Sequence, residues 1–292
     1  MLSDVNTFKP ENIVFSEAKE TNIPGSYRIT LGTRYPNGGT GPLLFCTDTV
    51  YSFGVQENTS LDKPPRTTGY SIPLCLWNQD GPTSHQTAFI DTLEKVSETI
   101  KQYILRPEVR KSVKKYDLVE SDLRKFSPLW YKKEDGEIVQ GKGPMLYPKL
   151  MCNKDLNIYT VITDPHGKDV DPFSLLNQKC KLRAVVKIES VFIGAKISLQ
   201  VKLVEIEVQE QASVRRRLLS GPIGAVETVG AVGPELWNQN DQNDQNDLSE
   251  EELSNEELED TPVPEPVKPV EPVKPVQPVP TKTARKSRKV FV

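Results

Sequence analysis

Residues 101–133 read KQYILRPEVRKSVKKYDLVESDLRKFSPLWYKK and carry ten lysines and arginines against four acidic residues. The cations are Lys101, Arg106, Arg110, Lys111, Lys114, Lys115, Arg124, Lys125, Lys132 and Lys133. Interleaved with them are Tyr103, Tyr116, Phe126, Trp130 and Tyr131. Together these residue types suit single-stranded nucleic acid. Cations track the phosphates and release their counterions, while exposed rings offer faces on which unpaired bases stack. Stacking contributes roughly 1–3 kcal/mol per base and is tolerant of base identity. The plainer reading is a solvated basic helix face whose rings belong to the core. Phosphate contacts are expected from Arg106, Arg110, Lys111, Lys114, Lys115, Arg124 and Lys125, with Tyr103 and Lys132 beside them, and stacking from among Tyr116, Trp130 and Tyr131.

Other chemistry is sparse. His85 and His166 are the only histidines, and neither has a cysteine or second histidine at metal-ligand spacing. Asp164, Asp169 and Asp171 lack the spacing of an EF-hand loop and read as turn formers. Gly38, Gly39 and Gly41 are not followed by the Gly-Lys-Ser/Thr of a phosphate loop, so they too read as a turn. Cys46, Cys75, Cys152 and Cys180 form no CxxC pair, and each lies in an apolar run. They are expected to be reduced core residues of an intracellular protein. No enzyme, metal or cofactor is expected.

The elements that must position the basic segment follow from periodicity. Short β-like runs occupy Ile13–Phe15, Tyr27–Leu31, Leu43–Cys46, Thr49–Val55 and Ser71–Trp77, separated by turn signals. A helix is predicted from Pro82 to Leu105, capped by Thr83 or Ser84, with Phe89, Leu93, Val96, Ile100 and Ile104 forming one apolar stripe. Pro107 ends or kinks it, and Glu108–Tyr116 reads as a short second helix. Strands return at Met145–Cys152 and Leu156–Thr163, with a helical or turn segment at Pro172–Leu176. The sheet is therefore expected to draw on both halves of the chain, with the helices inserted between them.

Residues 181–208 have the strongest pattern. Leu182, Ala184, Val186 and Ile188 alternate with polar residues, as do Ile197, Leu199, Val201 and Leu203, around a Gly194-Ala195-Lys196 turn. Lys181, Arg183 and Lys187 take the opposite face of the first strand, and Lys196, Gln200 and Lys202 that of the second. The hairpin thus predicts a second basic surface. At Leu203–Val204 the alternation changes parity, which requires an extra residue and hence a β-bulge. Bulges let one strand bend and serve a small closed barrel. The fold class is α+β, mainly β: an OB-fold-like small barrel with inserted helices.

Composition changes near residue 212. Residues 1–212 hold 27 Lys/Arg against 26 Asp/Glu, whereas residues 213–292 hold 10 against 14. The second region contains a threefold QND repeat at 239–247, ten acidic and no basic residues at 241–260, two EPVKPV repeats and five basic residues between Lys282 and Lys289. Frequent proline and low apolar content predict a disordered tail over 213–292. Its last basic cluster reads as a nuclear-localisation signal, a DNA-binding arm or a solubilising end. MLSDVNTFKP lacks a basic region followed by an apolar core, so no secretory signal is expected. No apolar run reaches the roughly 20 residues of a membrane span, and no membrane partner is expected.

GPMLYPKLMCN (143–153), the Asp-Pro of DVDPFSLLNQKC and KISLQVKLVEIEV together resemble the OB-fold single-stranded DNA-binding proteins of nucleocytoplasmic large DNA viruses. The resemblance covers roughly residues 140–209. It implies a replication or recombination protein that coats and protects single-stranded DNA. It also implies a location in the host nucleus or at the viral replication site, or packaging in the virion. Tyr147, Lys149, Lys187, Gln200 and Lys202 would then lie on or near the barrel surface, with Arg183 beside them. Proteins of this class often end in an acidic tail that recruits replication proteins; here the acidic block stops at Asp260 and the terminus is basic. The competing expectation is a structural or scaffold protein of a virion that acts through its tail.

Overall fold

Period-two alternation over the first 75 residues produces eight strands. They are β1 (Ile13–Phe15), β2 (Lys19–Glu20), β3 (Tyr27–Arg34), β4 (Thr40–Cys46), β5 (Val50–Ser52), β6 (Gln56–Thr59), β7 (Thr67–Ser71) and β8 (Leu74–Cys75). The helical stripe that follows forms α1 (Ser84–Ile104), and Pro107 opens the short α2 (Pro107–Ser112). The second half supplies β9 (Leu129–Trp130), β10 (Lys133–Glu134), β11 (Glu137–Ile138), β12 (Met145–Leu146), β13 (Lys149–Leu150) and β14 (Val161–Thr163). The hairpin strands β15 (Cys180–Ile193) and β16 (Ile197–Gln211) complete the set. The structure is a computed structural model that describes residues 1–61, 63–77, 81–124 and 126–211. The repeats, acidic block and basic cluster expected in the tail lie outside the described residues, as does Lys125.

A 14-stranded sheet is organised on β15. One edge of β15 pairs with β16 along its whole length, from Cys180 to Ile193. The other edge is shared in succession by β5, β4 and β3, all antiparallel. The far edge of β16 takes two short parallel partners, β13 at Lys202–Leu203 and β14 at Glu205–Glu207. The sheet continues through β7 to β6 on one side, and through β8 and β12 to β9 on the other. Strands from both halves of the chain interleave, with α1 and α2 between them in sequence, and the fold is mainly β.

The Gly194–Lys196 turn closes as its residues predict, with the Gly194 N–H donating to the Lys196 carbonyl at 3.0 Å. The parity slip is a bulge. Val186 pairs with Leu203 and Val185 with Glu205, so Val204 has no mate. Two further offsets flank it, leaving Gln209 unmatched on β16 and Glu189 unmatched on β15.

Helix α1 forms where the spacing places it. Thr83 caps it: the Gln86 N–H donates to Thr83 Oγ1 at 3.1 Å, and Gln86 Oε1 accepts from the Thr83 N–H at 2.9 Å. This reciprocal pair satisfies donors that a helix start leaves open. The stripe Phe89, Leu93, Val96, Ile100 and Ile104 is fully buried in one hydrophobic core with the inward residues of the sheet. Each such side chain contributes about 1.5–3 kcal/mol by leaving water. Phe126 joins the same core at 2% exposure, so this aromatic of the basic segment is structural. The cysteines are free, but only Cys180 is buried; Cys46, Cys75 and Cys152 are half-buried, because each sits at an outward position of its strand or bridge.

Candidate nucleic-acid interface

In β15 the residues Leu182, Ala184, Val186 and Ile188 are buried, whereas Lys181 and Arg183 are exposed and Lys187 is half-buried. Directly opposed residues of neighbouring strands share a face. Lys187 faces Lys202 on β16, and Lys202 faces Lys149 on β13. Three lysines therefore stand in one row across three adjacent strands, about 5 Å apart along the row.

One carboxylate bridges two of these lysines. Glu189 Oε1 lies 2.7 Å from Lys187 Nζ, and Oε2 lies 2.8 Å from Lys202 Nζ. Burial works against the charge of Glu189, but Lys202 and Lys187 outweigh it and hold its carboxyl below the ordinary glutamate range. Beside it, Arg28 Nη1 donates to Ser190 Oγ at 3.3 Å.

The rest of the hairpin face is less basic than alternation alone predicts. Arg183 stands opposite Glu207, so that half of the face carries both signs. Gln200 is buried at 8% exposure and donates to Ser198 Oγ at 2.9 Å. Its expected place on the basic surface is therefore corrected. The bulge at Glu189 offsets the ladder between Ile188 and Ser190, and beyond it Ser190–Ile193 are buried on both faces. Lys196 is exposed in the turn.

A second row crosses the same sheet. Trp130 pairs with Met145, Met145 with Cys75, Cys75 with Tyr51, and Tyr51 with Lys181. Trp130, Met145, Cys75 and Tyr51 are all half-exposed, and the row ends on the exposed Lys181. Lys181 and Lys187 share the outward parity of β15, so both rows lie on one side of that strand, about 20 Å apart. Tyr51 was not among the expected site residues. The alternation of Val50, Tyr51 and Ser52 turns it outward, but only the pairing of β5 with β15 sets it beside Lys181. Burial pushes the Tyr51 hydroxyl up to about 12. Tyr147, between β12 and β13, is half-exposed.

The basic segment 101–133 is arranged around α1 and α2. Tyr103 stacks on Phe15 with ring centres 3.7 Å apart and planes at 7°, and the Arg106 guanidinium lies 5.2 Å from the Tyr103 ring centre. Tyr103 is thus packed against β1 and holds Arg106 in place. Arg110 Nη1 donates to the Leu118 carbonyl at 3.2 Å, which ties that guanidinium to its own loop. Lys114 adopts a left-handed φ of 55°, and its ammonium lies 6.0 Å from the Tyr27 ring centre. Arg106, Lys111 and Arg124 are exposed, and Lys115 is half-buried. Tyr116 is the most open ring of the segment at 68% exposure. The Tyr131 hydroxyl donates to Glu94 Oε1 on α1 at 2.8 Å, and Lys132 lies 3.8 Å from Glu134.

Two consecutive residues of β3 make separate contacts. Tyr27 meets Lys114 of the segment after α2, and Arg28 meets Ser190 beside Glu189. The structure brings Lys149, Lys187 and Lys202 together. Trp130 lies in the second row of the same sheet, while Tyr131 is tethered to α1.

His166 is exposed in a turn and His85 is half-buried in the first turn of α1, while Asp164 and Asp171 act as turn formers. Asp164 Oδ1 accepts from the backbone N–H groups of His166 and Lys168 at 2.9 Å each, and Asp171 Oδ1 accepts from that of Phe173 at 3.1 Å. Among the described residues no group of three or more metal-ligating side chains converges.

Fold and surface define a mainly β protein with a half-exposed face that combines a row of lysines and a second row carrying Trp130 and Tyr51. The chain belongs to the family described as a protein of unknown function (DUF2738), which it matches over residues 9–252. It is 30% identical over 225 residues to the "Early 31 kDa protein" of Frog virus 3 (isolate Goorha), covering 74% of this chain and 83% of that protein. It is 26% identical over 197 residues to "Uncharacterized protein 007R" of Invertebrate iridescent virus 3. That match covers 65% of this chain but only 40% of the longer relative. Among solved structures, the single-stranded DNA binding protein gp2.5 encoded by bacteriophage T7 aligns with a TM-score of 0.38 at 14% identity, over 64% of this chain and 100% of that one.

Proposed function

We propose that this viral protein binds single-stranded DNA without enzymatic action and coats it during replication or recombination, on an OB-like scaffold. The observation that carries this reading is the alignment of Lys149, Lys202 and Lys187 across three neighbouring strands. Like charges placed directly opposite one another on a sheet are unfavourable. A fold that places three in a row gains from them when a polyanion lies across the strands. Trp130 and Tyr51 on the same sheet, and the exposed Tyr116 beside Lys111, Lys114 and Lys115, supply faces for bases. The resemblance of residues 140–209 to viral single-strand-binding proteins supports the same reading. Replication proteins as tail partners, and a site of action in the nucleus or at viral replication sites, belong to this proposal.

A fluorescence titration of oligothymidylate at two salt concentrations tests it. Binding is expected at low salt and should weaken steeply as salt rises, the logarithmic slope changing by about 0.7 per phosphate contacted. No binding at low salt would overturn the proposal.

A further inference from the structure

We infer that Glu189 is a resident anion in a phosphate subsite formed by Lys149, Lys187 and Lys202, and that it sets the affinity of this face for a phosphodiester. The inference rests on the single-strand-binding reading above and adds the residue that regulates it.

Geometry supplies the first argument. The two oxygens of Glu189 bridge two ammonium groups at 2.7 and 2.8 Å, as two oxygens of a phosphodiester would. The carboxylate thus occupies the place where a phosphate would gain most.

The second argument is its position in the ladder. Ile188 pairs with Val201 and Ser190 with Gln200, so Glu189 is the one unmatched residue of β15. An extra residue at a bulge re-aims a side chain as the bulged strand bends locally. Here the re-aimed side chain is the only acidic one in β15.

The third is charge balance. Arg183 stands opposite the acidic Glu207 across the hairpin. Lys187 faces Lys202, and Lys202 also faces Lys149. One carboxylate shared by Lys187 and Lys202 holds that pair together yet leaves it positive by one. Such a site keeps its lysines ordered before the ligand arrives, at the cost of a competitor that the ligand must displace. It therefore restrains binding by single phosphates and yields to a chain that brings several at once.

The test compares the wild-type protein with Glu189→Gln and Glu189→Asp, using fluorescein-labelled oligothymidylate across a salt series, with a thermal melt of each protein. Glu189→Gln removes the competing charge and is expected to tighten binding about 5- to 10-fold at low salt, with the salt slope steeper by about 0.7. Glu189→Asp keeps the charge but is one methylene shorter, so it cannot span both lysines; a smaller gain of about 2- to 3-fold is expected. The shorter variant keeps the question answerable if the glutamine variant melts below the assay temperature. Wild-type binding that neither folded variant tightens would overturn the role of Glu189 alone. A wild-type protein and variants all inert toward oligothymidylate at low salt would overturn the single-strand reading and this inference with it.

Discussion

Lys202 stands directly opposite Lys187 across the hairpin, and both ammonium groups end on one carboxylate, that of Glu189. Removing either lysine costs Glu189 one of its two partners but relieves a like-charge pair and leaves the other lysine on the carboxylate, so the fold should tolerate the change. Each of Lys187→Gln and Lys202→Gln is expected to lower the salt slope of oligothymidylate binding by about 0.7. Arg183→Gln is the control, because Arg183 faces Glu207; its slope should stay close to wild type. Equal losses in all three variants would mean that the row has no special part in binding.

Gly54 holds the crossing between β5 and the segment before β15. Its φ is +84°, and a Cβ there would collide with the carbonyl oxygens of Leu175 and Gln178. The same crossing is tied by the Val55 N–H donating to Leu175 O and the Asn177 N–H donating to Val55 O, both at 2.9 Å. Neither contact can move away without loss of the other. Gly54→Ala is expected to destabilise the fold by about 2 kcal/mol or more, as backbone strain adds to the collision. Urea denaturation measures this directly, and an unchanged midpoint would contradict it.

Alkali should unfold the protein through its half-buried tyrosines. Burial raises the Tyr51 hydroxyl to about 12. Tyr131 is raised as well, first by burial and then by its hydrogen bond to Glu94. An unfolded tyrosine ionises near pH 10. These groups stay neutral in the fold after their unfolded counterparts have ionised. Their contribution to stability is therefore complete below about pH 10 and declines as pH rises through the folded values. Denaturant midpoints followed across this range should fall, in step with tyrosinate absorbance. Tyr131→Phe should shallow the fall, since one of the linked ionisations is gone.

Much of this arrangement is legible in the sequence. The spacing of Phe89, Leu93, Val96, Ile100 and Ile104 fixes the buried face of α1, and Thr83 with Gln86 fixes its start. The adjacency of Leu203 and Val204 reveals a bulge, because a period of two cannot change phase otherwise. Alternation also turns Lys187 and Lys202 away from the core. It does not say which strands are neighbours. Lys149 meets Lys202 through a parallel pair separated by more than fifty residues, and Tyr51 meets Lys181 across an even longer interval. The bulge at Glu189 is hidden because Ser190–Ile193 are buried on both faces, which erases the alternation that would expose a slip. Gln200 lies opposite Ser190 in this doubly covered stretch and is buried with it. Tyr131 shows a different limit: its ring is of the right type for stacking, but a helix far back in the sequence provides the partner for its hydroxyl.

The three unmatched residues of the hairpin, Glu189, Val204 and Gln209, have a mechanical consequence. A long uniform pair of strands can creep by two residues and keep every side chain on its proper face. This pair cannot. A two-residue slide would force each unmatched residue against a mate and leave three others stranded. The offsets act like the wards of a key, so the hairpin has a single seating, and the lysines that depend on it stay aligned when something pulls along the strand.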